Sequence, residues 1–105
     1  MFSDADVISI YLLQQAINDG VLVEIFKNRW GQLTGGKPLV ATRAVYAQFS
    51  LAALQEIWNE YVDWRKTVQP TLKPEEDLFA TKMNDLTVRV LEDGEFFTIL
   101  FPDDY

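Results

Sequence analysis

The sequence predicts an α+β fold, with three or four helices packed on a small antiparallel sheet that includes a C-terminal β-hairpin. Three observations carry this expectation. Apolar residues recur at three- and four-residue steps near the N-terminus and again after Ser50. The segment LTVRVLEDGEFFTILF alternates around Asp93-Gly94. The 105 residues suffice to bury about two thirds of the unfolded surface in one core, so residues 1–105 are read as a single domain.

The first helix is expected in SDADVISIYLLQQAINDG. Ser3 is a suitable N-cap, Asp4 and Asp6 complement the dipole, and Val7, Ile10, Tyr11, Leu13 and Ile17 share a face. Asn18-Asp19-Gly20 could also be a hairpin turn. A hairpin needs a preceding strand, however, and the pattern there is helical, so Gly20 is read as the left-handed C′ residue of a helix stop. VLVEIF, residues 21–26, is β-branched and expected as a strand.

Residues 27–38, KNRWGQLTGGKP, read as a loop with room for one helical turn at NRWGQL. Gly35-Gly36-Lys37 lacks the spaced glycine and following Ser or Thr of a phosphate loop, and Pro38 follows the lysine directly. Leu39 to Ala41 are expected to be extended. Thr42 can cap RAVYAQF and Ser50 can cap LAALQEIWNEYVDWRKTVQ, as one helix or two. Leu51, Leu54, Ile57, Trp58, Tyr61, Val62 and Trp64 form the apolar face of the latter, Arg65 and Lys66 suit its C-terminal end, and Gln69-Pro70 closes it.

KPEEDLFATKMN is predicted as a short helix, with Pro74 near its start, acids in its first turn, and Leu78, Phe79 and Met83 docking it. The closing hairpin is predicted with a two-residue turn at Asp93-Gly94, which sets Val90 against Phe97, Val88 against Ile99 and Leu86 against Phe101. A one-residue slip would exchange the faces. The chosen register places Glu92 opposite Glu95, and its outer face, with Leu91, Phe96 and Leu100, requires partial cover.

Composition excludes several chemistries. The chain has no Cys, hence no disulfide, thiolate metal site or thiol nucleophile, and no His, hence no imidazole-based triad or metal site. No catalytic residue, cofactor or metal site is assigned, and the protein is expected not to be an enzyme. The N-terminal segment carries Asp4 and Asp6 where a signal peptide would be basic, so a cytoplasmic location is expected. The longest uncharged runs are 12 residues, short of the roughly 20 that span a bilayer, so no membrane association is expected.

The net charge of −7 is concentrated late. Residues 1–68 hold seven acids against six bases, and residues 69–105 nine against three. Such a chain repels phosphate backbones, so direct nucleic-acid binding is not expected.

The strings DVISIYLLQQAINDGVLVE, PLVATRAVY and TVRVLEDGEFFTILFPDD resemble a family of small uncharacterised bacterial proteins found in phages, plasmids and other mobile elements. The likeness rests on Asp6-Val7-Ile8, Tyr11, Gln15-Ala16, Asp19 through Glu24, Thr42-Arg43-Ala44-Val45 and Ile99 through Asp103. Leu12-Leu13 departs from it, standing where polar or basic residues are usual. The resemblance implies a cytoplasmic accessory protein of a mobile element and brings no reaction with it.

Candidate interaction residues follow. Trp30 lies in the Gly-rich loop and is the candidate anchor for a partner protein. Asp19 stands beside a helix stop. Arg43 opens a helix, where the dipole does not favour it, and an ion pair with Asp19 or Glu24 is expected. Glu56, Glu60 and Asp63 form a helical carboxylate stripe, read as a solvated face because facing His ligands are absent. The first functional expectation is a non-enzymatic interaction module acting on an unidentified protein. A second is an acidic DNA-mimic inhibitor of a host nucleic-acid-binding or restriction protein, with Glu75, Glu76, Asp77, Glu92, Asp93, Glu95, Asp103 and Asp104 on one face. A third is a small-ligand binder or enzyme using Asp19, Arg43 and a Tyr.

Overall fold

Asn18-Asp19-Gly20 ends a helix. The computed structural model describes residues 15–71, 73, 78–92 and 95–104, the last by its backbone alone. Within it, α1 covers residues 15–18. The Val21 N–H donates to Ala16 O (2.9 Å), the Gly20 N–H to Ile17 O (3.1 Å), and Gly20 has φ +76°. These paired bonds are the Schellman arrangement, in which a left-handed residue satisfies the last helical carbonyls. The part of the helix expected before residue 15 lies outside the described residues.

The chain then enters β1 (Leu22–Glu24), shorter than the expected run because Phe26 takes a left-handed φ of 52°. A 3-10 turn (Lys27–Arg29) leads to α2 (Trp30–Leu33), the expected turn at NRWGQL. After β2 (Leu39–Thr42) come two helices, α3 (Arg43–Gln48) and α4 (Leu51–Thr67). Thr42 and Ser50 cap them, accepting from Val45 N (3.4 Å) and Ala53 N (3.2 Å). Extended Phe49, at φ −117° and ψ 147°, separates the two.

Residues 79–83 are a strand, not the end of a helix. β3 (Phe79–Met83) pairs antiparallel with β4 (Leu86–Glu92) across Asn84-Asp85, both at positive φ (54° and 66°). That is the backbone a two-residue type I′ hairpin requires, and short polar residues tolerate it. The helical reading rests on the apolar spacing of Leu78, Phe79 and Met83. Alternation of Phe79, Thr81 and Met83 with exposed Ala80 and Lys82 prevails, because it sets Phe79 against Tyr61 (ring centroids 5.4 Å apart) and Trp64 (5.6 Å). Residues 74–77, which would begin that helix, lie outside the described residues.

The C-terminal hairpin joins β4 to β5 (Phe97–Leu100), but its register differs from the two-residue turn. Val90 pairs with Ile99 and Glu92 with Phe97, leaving residues 93–96 between the strands. The shift is two residues, so every side chain keeps its face. It removes Glu95 from opposite Glu92 and places Glu92 beside cations instead. The turn residues Asp93 and Gly94 lie outside the described residues.

The sheet has five strands in the order β1-β2-β5-β4-β3. It is mixed: β2 and β5 run parallel, while the other three pairs are antiparallel. β2 and β5 are inner strands, and Leu39, Val40, Ala41, Phe97, Thr98, Ile99 and Leu100 are all buried. Strands covered on both faces read as continuous apolar runs, as LVA and FTIL do. On one face Leu54, Ile57, Trp58 and Tyr61 of α4 share the main core with Leu39, Phe79, Val88, Val90, Phe97 and Ile99. On the other face Val40 and Phe96 pack with Ile17 and Leu22. The apolar outer face of the hairpin is therefore covered at Phe96 and Leu100, both under a tenth exposed.

Candidate functional site

The mouth of the main core, where α2, α4 and the start of β5 meet, forms a cleft of about 330 Å³. Leu33 and Thr34 bound it on the α2 side, and Val62, Arg65 and Lys66 on the α4 side. Trp58, Tyr61 and Phe97 complete its lining. The helical spacing of Trp58, Tyr61, Val62 and Arg65 brings these residues to one side of α4. Phe97 meets Trp58 edge-on at 5.0 Å and Tyr61 at 6.0 Å, the offset geometry that aromatic quadrupoles favour.

Cations surround Phe97. Lys37 Nζ lies 5.3 Å from its ring centroid and Arg65 Cζ 5.8 Å, while Arg65 is also 5.7 Å from the Tyr61 ring. A single carboxylate oxygen, Glu92 Oε2, accepts from Lys37 Nζ at 3.0 Å and from Arg65 Nη1 at 3.5 Å. Lys37, Arg65 and Glu92 each keep about a third of their side chains exposed. Lys66 has no ion pair among the described residues. Among the described residues that line this cleft or pair beside it, the cations are Lys37, Arg65 and Lys66 and the paired carboxylate is Glu92.

The residues singled out from the sequence occupy other places. Trp30 is half-buried against the main core and its Nε1–H donates to Ile25 O at 2.8 Å, so its ring braces α2. Asp19 and Arg43 are exposed, and the Arg43 side chain lies over Gly20, the residue after Asp19. A Cβ on Gly20 would lie 3.4 Å from Arg43 Nη1, and the Arg43 N–H donates to Val21 O at 3.0 Å. The expected ion pair of Arg43 with Asp19 or Glu24 does not form among the described residues. Glu24 instead lies 3.8 Å from Lys27, three residues on, and Arg43 runs over Gly20.

Glu95 is half-buried, and Asp103 is exposed in the closing 3-10 turn (Pro102–Asp104). Asp103 lines a separate cleft with Gln48, Leu86, Thr87, Phe101 and Pro102, whereas Glu92 faces the cations. Glu75, Glu76, Asp77 and Asp93 lie outside the described residues, as does the side chain of Asp104. Among the described residues no three His, Cys, Asp or Glu side chains form a group able to hold a metal ion. Glu60, of the α4 carboxylate stripe, accepts from Thr81 Oγ1 at 3.3 Å. No described helix is long and apolar enough to cross a membrane.

Sequence reasoning missed Lys37, Glu92 and Phe97 as members of one site. The dipole of α4 accounts for the sign of Arg65 and Lys66 but not for their company. The available signal was the two-residue alternative register of the hairpin, which frees Glu92 from Glu95. Comparison with protein-family models, with curated proteins and with solved structures finds no match to this chain.

Proposed function

We propose that the protein is a non-enzymatic interaction module, a cytoplasmic accessory protein of a mobile element, that receives an anchor side chain of a partner protein between α2 and α4. The observation carrying this reading is the cleft itself. Half-buried Leu33 and Val62, over the edges of Trp58, Tyr61 and Phe97 that are each under a twentieth exposed, form an apolar floor rimmed by charge. An apolar centre inside a polar rim is the anatomy of interaction sites, and pockets of a few hundred Å³ hold one or two anchoring groups. The resemblance to small mobile-element proteins supports the accessory role.

The reading is tested by affinity capture from host lysate with the wild type and with Val62→Asn, which alters the cleft wall without adding charge. Unchanged far-UV circular dichroism establishes that the variant is folded. A protein retained by the wild type and lost by Val62→Asn is the expected result. Equal retention by both overturns the reading.

A further inference from the structure

The charges at the cleft identify the chemistry of its occupant, an inference that rests on reading the cleft as an interaction site. Arg65 is held against Tyr61 and Phe97, with centroid distances of 5.7 and 5.8 Å, and its contact with Glu92 is the longer of the two that carboxylate makes. Glu92 gives its shorter bond to Lys37. The Arg65 side chain is 38% exposed, so its planar fork is oriented by the aromatic platform while remaining within reach of a ligand. Lys66, without an ion pair among the described residues, adjoins it on α4.

From this charge complementarity we infer that the cleft takes an acidic peptide segment. An apolar side chain of the segment lies against Leu33 and Val62, over the edges of Trp58 and Phe97, and a neighbouring carboxylate engages Arg65 and Lys66. The pairing of an apolar wall with a small, localised group of cations selects this class over nucleic acid. A nucleic-acid strand presents charge continuously along its backbone, and the remainder of this acidic chain repels it. A peptide brings one or two carboxylates beside an apolar anchor, and its charged groups set specificity.

The test is selection of random peptides of about twelve residues, displayed on phage, against the full chain. Wild type, Val62→Asn and the double variant Arg65→Gln/Lys66→Gln are used, each verified as folded by circular dichroism. Wild type is expected to select peptides with Asp or Glu adjacent to an aromatic or aliphatic residue. The double variant is expected to lose the acidic preference, keep the apolar one, and bind the selected peptides about tenfold more weakly, the equivalent of one charge-assisted pair. Peptides that depend on Val62 but carry no acidic preference overturn this inference and leave the interaction-module reading standing. Selection of no Val62-dependent peptide overturns both. A single-stranded oligonucleotide that displaces the selected peptide more effectively than free peptide reassigns the cleft to nucleic acid and likewise overturns the inference.

Discussion

Lys37 and Glu92 meet across 55 residues of sequence, Nζ to Oε2 at 3.0 Å, and do so above the ring of Phe97. Lys37 precedes β2, Glu92 ends β4, and β5 lies between those strands. Phe97 opens β5, paired with Leu39 on one side and Glu92 on the other. The ion pair therefore spans the central strand at the edge of the cleft. Both side chains keep about a third of their surface exposed, so solvent screens them. A double-mutant cycle with Lys37→Met and Glu92→Gln should give a coupling below about 1 kcal/mol in urea unfolding. A coupling several times larger would show that the pair governs the placement of β5 and not only the cleft rim.

Gly20 holds the stop of α1 at φ +76°. Gly20→Ala should destabilise by about 1–2 kcal/mol, since an L side chain is strained in the left-handed region. The new Cβ would also meet Arg43 Nη1 at 3.4 Å. At Gly31, inside α2, an added Cβ would have nothing within 4 Å, and Gly31→Ala should be neutral or stabilising by up to about 1 kcal/mol. Opposite shifts of the urea midpoint in the two variants are the expected result, and a midpoint unchanged by Gly20→Ala would contradict the helix-stop assignment.

Asp85 occupies the second central position of the β3–β4 turn at φ 66°. Asp85→Gly creates the Asn-Gly pair that type I′ turns favour and should stabilise by about 0.5–1 kcal/mol. Thermal unfolding monitored by circular dichroism should show a raised midpoint, and a lowered midpoint would contradict the type I′ turn.

Trp30 donates its indole N–H to the carbonyl of Ile25, a residue only 2% exposed. Trp30→Phe retains most of the ring and removes the donor, leaving that carbonyl without this partner. A loss of about 1–2 kcal/mol is expected from chemical denaturation, with α2 loosened on the cleft wall. No measurable loss would show that the indole hydrogen bond does not hold α2 in place.

Much of the fold was legible because it is written in short stretches. Thr42 and Ser50 cap helices that begin immediately after them, and the Asn18-Asp19-Gly20 stop needs only residues 16–21. The apolar face of α4 was visible from 3.6-residue periodicity, and its buried residues are ones that face contains. The β3 strand was harder, since FATKM is short enough to satisfy either period and acquires its identity from pairing with β4. Of the candidate site, Arg65 and Lys66 could be noticed one by one. Their neighbour Glu92 could not, because no local pattern connects the end of one strand with the last turn of a distant helix.

The sequence by itself determined the caps, the helix stop, the long amphipathic helix and the existence of a C-terminal hairpin. Each depends on backbone preferences and side chains within a few residues of one another. Tertiary structure alone decided that β2 runs parallel to β5, that the hairpin register moves by two residues, and that Lys37, Arg65 and Glu92 gather around Phe97. The physical reason is that alternation specifies which face a side chain takes but not how far one strand slides along another in steps of two. Packing of α4 over Phe79, Val88, Val90, Phe97 and Ile99 chooses among registers that local chemistry leaves equivalent.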